Sequence, residues 1–140
     1  MYSLAYAMSA RRYIQDGYLR GFGMNSLVWQ QSDTIAHARS IPLETPIYSN
    51  AAEAIYLHTN HAALRLPRKI ERVTGQANPE YEATLRDMQL AFSQHHGALV
   101  YFDFFQPEGY PSAEELVELF SLKILAKSVD GTIYYAGFTP

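Results

Sequence analysis

The chain has 140 residues, of which 48% are hydrophobic, 14% aromatic and only 18% charged, and its formal net charge is −3. A chain of this length folds as one domain and hides roughly two-thirds of its unfolded surface, enough apolar burial to exclude intrinsic disorder. With no cysteine there is no disulfide framework, thiolate metal site or thiol nucleophile, and the lack of a basic excess argues against a nucleic-acid binder.

Charge is unevenly spread. Residues 1–72 carry eight Lys/Arg against five Asp/Glu, and residues 73–140 carry three against nine. The basic side is densest at Arg65, Arg68, Lys69 and Arg72, the acidic side at Glu114, Glu115 and Glu118. A solvated loop and a solvated helix face account for both clusters. No run of 18 apolar residues exists, so no segment has the length and composition of a bilayer span.

Met1–Met8 is uncharged and apolar but has neither a basic leader nor a cleavage site, so it does not read as a signal peptide. Residues 1–20, with Tyr2, Leu4, Tyr6, Met8, Arg11, Arg12 and Tyr13, are expected to form an N-terminal helical segment. It either packs on the domain or continues a longer, juxtamembrane apolar element. Residues 21–140 are expected to form a single α/β domain.

After the Gly21-Phe22-Gly23 break and the turn at Trp29, Ser32 or Asp33 can cap a short helix through about Ser40, with Ile35 and Ala38 inward and Pro42 closing it. Thr45–Ser49 is β-prone and runs straight into Asn50-Ala51-Ala52-Glu53. There an Asn N-cap and a Glu three residues later can satisfy free backbone N–H groups at the start of a helix over 51–59, which Asn60 can end in the left-handed conformation. Ala62–Leu66 is a second short strand, stopped by Pro67 and followed by a polar loop through Ala77.

Asn78-Pro79-Glu80 signals a helix start, and Tyr81, Leu85, Met88, Phe92 and His95 recur at helical spacing until Gly97. Ala98–Phe105 is nearly all apolar, the pattern of a strand covered on both faces. Pro107–Pro111 turns the chain, and Ser112-Ala113-Glu114-Glu115 is a capping box before Leu116, Val117, Leu119 and Phe120. Leu122–Val129 and Thr132–Ala136 flank Asp130-Gly131, a hairpin signal. The order implies a three-layer α/β fold: a mostly parallel sheet with helices on both faces and a C-terminal antiparallel hairpin at one edge.

In such a sheet, ligands sit outside the carboxyl ends of the strands. That rule selects Ser49, Asn50 and Glu53 after the first strand, Arg68 and Lys69 after the second, and Asp103 at the end of the third, as a ligand-binding rim. A plainer reading makes Asn50 and Glu53 caps, Arg68 and Lys69 solvated, and Asp103 the partner of a turn or an arginine. No glycine-rich phosphate loop and no Gly-x-Ser-x-Gly elbow is present. His58 with His61, and the adjacent His95 and His96, lack the spaced partners of a metal site. Glu114-Glu115 reads as a helix start, not a carboxylate dyad. No catalytic residue, cofactor or metal follows from these patterns. Tyr48, Tyr56, Tyr101, Tyr110, Tyr134 and Tyr135 can stack on a sugar or pack half-buried with one wet end.

Pro46-Ile47-Tyr48-Ser49-Asn50-Ala51-Ala52-Glu53-Ala54-Ile55-Tyr56 and Leu66-Pro67-Arg68-Lys69, with Asp130-Gly131-Thr132-Ile133-Tyr134 and the Trp29 segment, resemble a family. The family is the C-terminal soluble region of bacterial multi-spanning proteins similar to dolichyl-phosphate-mannose-type glycosyltransferases. The likeness covers most of residues 21–136. It implies an extracytoplasmic, non-catalytic accessory domain, because the family's catalytic acids lie in an early loop between membrane helices. The implied partners are the membrane-spanning part of the parent chain and a glycan or lipid-linked sugar, with roles in acceptor binding or in stabilising the membrane domain. Two readings from other classes stand beside it. One is a flavodoxin-like small-molecule enzyme with Asp103 and a histidine as acid and base, which requires a deep pocket. The other is a protein–protein interaction module, which requires an exposed apolar patch.

Overall fold

The computed structural model describes residues 23–136. The N-terminal helical segment expected over residues 1–20 lies outside the described residues, as do residues 137–140. Ten elements follow a 3₁₀ turn at Gly23–Asn25: α1 (Leu27–Gln30), α2 (Asp33–Ala38), β1 (Ile47–Ser49), α3 (Ala52–Thr59), β2 (Leu64–Arg65), α4 (Tyr81–His95), β3 (Ala98–Phe102), α5 (Ala113–Phe120), β4 (Leu122–Lys127) and β5 (Gly131–Ala136).

The class is α/β, built on a five-stranded sheet in the order β2-β1-β3-β5-β4. β1 runs parallel to both β2 and β3, while β5 is antiparallel to β3 and to β4. The sheet is therefore mixed, and the expectation of a mostly parallel one is corrected. The reason lies in the relative burial of the last two strands. The start of β5 (Gly131, Thr132, Ile133) is buried, whereas β4 exposes Lys123, Ile124, Leu125 and Lys127. The strand without charged residues takes the inner position beside β3, and the lysine-bearing one becomes the edge, a placement that discourages further pairing.

β3 is buried at all five positions, as its unbroken apolar run requires, and its alternate residues feed two cores. Val100 and Phe102 join Trp29, Ile35, Ile55 and Ile133 on one face. Leu99 and Tyr101 join Tyr48, Met88, Phe92 and Leu116 on the other. Thus α1, α2 and α3 cover the first face, and α4 and α5 the second. β3 stops at Phe102 rather than continuing to Phe105, because Phe104 and Phe105 turn out of the strand to pack on Trp29, with ring centroids 4.7 and 5.5 Å away.

Helix ends follow local chemistry where a local partner exists. Ser32 and Ser112 accept from the backbone N–H of Ile35 and Glu115, and Asn60 ends α3 at φ 58°. Two details differ from expectation. α4 ends on His96 in the left-handed region, before Gly97, and within α4 His95 is exposed while Ala91 is buried.

The turn between β4 and β5 is tied to the first face by Asp130. Its carboxylate accepts from the Ser32 hydroxyl, and Oδ1 accepts from the Thr34 N–H at 3.2 Å and the Thr34 hydroxyl at 2.8 Å. An acid at the N-terminus of α2 also suits that helix's dipole. Next to it, a Cβ on Gly131 would lie 2.5 Å from the Tyr101 carbonyl oxygen and 2.8 Å from Thr34 Oγ1. Only a hydrogen fits there. Gly131→Ala is expected to cost about 2–3 kcal/mol, as overpacking of a rigid core does, read as a lowered urea midpoint; an unchanged midpoint would show that β5 can move away from β3.

The Tyr101 hydroxyl donates to the Pro111 carbonyl at 3.1 Å. Burial, and after it the nearby Glu114 carboxylate, raises the phenol pKa above its ordinary 10.0. The unfolded phenol ionises first, so this contribution is complete below about pH 10 and is lost as pH rises through the folded value. Unfolding midpoints should hold steady to about pH 10 and then fall. Tyr101→Phe should be about 1 kcal/mol less stable at neutral pH yet lose less at alkaline pH; parallel alkaline slopes for the two proteins would contradict this.

Candidate functional site

β1, β2 and β3 point the same way, so their carboxyl ends lie along one edge of the sheet. From β1 the chain leaves through α3 on the first face; from β3 it leaves through α5 on the second. Adjacent parallel strands whose continuations part in this way open a crevice between them. Asn50 sits at that point.

The register of β1 on β3 ends at Ser49 opposite Val100. One residue later the Asn50 side chain continues the pairing in place of backbone. Its Oδ1 accepts from the Phe102 N–H at 2.9 Å, and its Nδ2 donates to the Phe102 carbonyl at 2.8 Å and to the Phe105 carbonyl. Asn50 is 3% exposed, so the two buried backbone groups of Phe102 and the partly buried Phe105 carbonyl depend on it. Its expected role as N-cap of α3 is corrected: Ala51 holds the cap position, and the amide is committed to β3. Ser49, fully buried, accepts from the Ala51 N–H through Oγ at 3.0 Å.

Beyond Asn50 lies an open groove of about 950 Å³. Its polar wall is the ion pair of Glu53 on α3 with Arg65 of β2. The loop after β2 supplies Arg68, whose Nη1 donates to the Glu108 carbonyl at 2.7 Å and whose guanidinium lies 4.4 Å from the Tyr110 ring centroid. The loop after β3 adds Phe104, Phe105 and Gln106. These two loops are stitched together by the Lys69 N–H donating to the Gly109 carbonyl at 2.8 Å. Arg72, Glu71 and Glu108 complete the charged lining, so three arginines face three glutamates.

Of the six residues selected from sequence, Asn50, Glu53 and Arg68 meet at this groove. Ser49, Lys69 and Asp103 are not part of its lining. Lys69 turns to Glu115 at the start of α5, at 2.5 Å, and this hydrogen bond raises its pKa. Asp103 is exposed; its N–H donates to the Asp130 carbonyl at 2.9 Å, and its own carbonyl accepts from Gln106. Sequence reasoning missed Arg65, Phe104, Phe105 and Gln106. The available signal for Arg65 was its position at the carboxyl end of the second strand, opposite an acid on the preceding helix.

His37, His58 and His95 lie in the last turns of α2, α3 and α4. α4 leads into the start of β3, so His95 lies at the opposite edge from Asp103, whereas His58 Nε2 lies 2.6 Å from the carbonyl oxygen of Met24, which lines the groove. His61 alone of the described histidines is buried, with its ring nitrogens 2.8 Å from the Ala62 and Pro42 carbonyl oxygens. Among the described residues no group of three or more His, Asp or Glu is arranged to hold a metal ion. Comparisons with protein-family models, with curated proteins and with solved structures return no match.

Asn50→Asp keeps the shape but replaces a donor pair with oxygens facing two carbonyls. It is expected to destabilise the fold by at least about 3 kcal/mol, the scale of several buried groups losing their partners, in chemical denaturation near neutral pH. A change below about 1 kcal/mol would show that other groups hold the crevice closed.

Proposed function

We propose that this chain is a non-catalytic accessory domain, of three-layer α/β build, on the extracytoplasmic side of a membrane glycosyltransferase-like protein. Its groove receives the glycan acceptor, and its further partner is the membrane-spanning part of the parent chain. The observation that carries the reading is the groove itself, built at the carboxyl ends of three parallel strands. Its charges balance, which suits a neutral ligand rather than a phosphate or a cation. Phe104, 44% exposed and backed by Trp29, offers a ring face to the apolar side of a sugar. Arg65, Glu53 and Gln106 offer planar polar groups to hydroxyls.

The non-catalytic part of the reading is supported by where the titratable groups stand. Glu53 is already held by Arg65, Asp103 lies outside the groove, the His58 ring is taken up by the Met24 carbonyl at 2.6 Å, and His95 belongs to the far edge. Among the described residues no helix is long and apolar enough to cross a membrane. A second role, docking onto a protein partner, is favoured by Ile124 and Leu125 of β4, each more than half exposed.

Trp29 is the single tryptophan and touches the groove wall through Phe104. Titration with mannose and N-acetylglucosamine oligosaccharides should shift its emission and move amide resonances of Asn50, Arg65 and the 104–110 loop. Phe104→Ala should weaken binding about tenfold by calorimetry, the scale of one lost stacking contact. Silence at these residues with every oligosaccharide would overturn the reading.

A further inference from the structure

A second hollow of about 520 Å³ adjoins the groove and shares three of its lining residues, Met24, Glu53 and Arg65. Its remaining lining is mostly small and apolar, with Tyr56 and Leu57 of α3 facing Ala62 and Ala63 before β2. Tyr56 lies one helical turn beyond Glu53, so the two project from the same face of α3, and it is 59% exposed. The two hollows therefore make one trough, with the Glu53–Arg65 pair shared between them, Phe104 lining the first and Tyr56 the second.

We infer that the trough binds an extended neutral glycan across several sugar units, and that the second hollow is a distinct subsite in which Tyr56 stacks on a sugar face. This rests on the glycan-binding reading of the groove. Three observations favour this occupant. Among the described residues the only charges in the second hollow are Glu53 and Arg65, which neutralise each other, so an ionic ligand gains nothing there. A single small ligand fills a cleft of about 300–1,000 Å³, a range the first hollow nearly spans by itself, so the second accommodates further units. An extended peptide would add alongside β2, the outermost strand among the described residues, but that strand has only two residues, too few for the main-chain ladder on which strand addition depends.

The test compares mannobiose with mannohexaose by calorimetry on the full 140-residue chain, wild type and Tyr56→Ala. Because Tyr56 is exposed and belongs to neither core cluster, the variant should fold normally, and its unfolding midpoint verifies this. The expected result is that the hexamer binds at least tenfold more tightly than the dimer. Tyr56→Ala should erase most of that advantage while leaving dimer affinity within twofold; Phe104→Ala should weaken both. Equal affinity of the two sugars, or a hexamer indifferent to Tyr56, overturns the second subsite while leaving the groove reading intact. Binding of neither sugar overturns both readings, and amide shifts at Leu64 and Arg65 with penta-alanine but not with sugar would assign the trough to peptide instead.

Discussion

The structure depends on one side-chain amide. Where β1 and β3 part to opposite faces of the sheet, backbone pairing must end, and two buried polar groups of Phe102 and the partly buried Phe105 carbonyl would face no partner. Asn50 supplies the missing peptide-like group, accepting from Phe102 and donating to Phe102 and Phe105. An amide is the side chain suited to this place, since it both donates twice and accepts. By drawing the Phe105 carbonyl inward, it turns Phe104 and Phe105 out of the strand and onto Trp29. That turn is what gives the groove its aromatic wall.

A second tie acts on the same edge of the sheet. Asp130 joins the β4–β5 turn to the start of α2, while its carbonyl receives the Asp103 N–H. The loop after β3 is thus held at its start by the hairpin, at Phe105 by Asn50, and at Gly109 by the backbone of Lys69. A surface built from loops becomes rigid by this means, and rigidity lowers the entropy lost when a ligand binds. The Arg68–Tyr110 stack and the Glu53–Arg65 pair add shape and orientation more than stability, because exposed ion pairs contribute little.

Much of the fold was legible in the chain because the deciding interactions are local or periodic. The apolar run at 98–102 demanded cover on both faces, Ser32 and Ser112 preceded their helices by the expected interval, and Asn60 suited a left-handed stop. The rule of strand carboxyl ends located the edge on which the groove lies. What was not legible depends on partners distant in sequence. Asn50 followed by Glu53 reads as a capping pair, and nothing nearby signals that its amide is committed 52 residues away. Phe104 and Phe105 continue an apolar run, so their departure from β3 could not be seen without Trp29 and Asn50. Lys69 and Asp103 have the right position in the chain but turn to α5 and to the hairpin. The direction of β5 depended on which of two β-prone segments is the better buried, a comparison that needs the sheet.

The most direct measurement is native-state hydrogen exchange at the Phe102 amide, whose partner is the Asn50 side chain rather than backbone. If that side chain closes the crevice, this proton should exchange as slowly as those of Leu99 to Tyr101, through global unfolding alone. Exchange at the fast rate of the exposed Phe104 and Gln106 amides would mean that β1 and β3 part freely at their ends, and that the groove has no fixed floor.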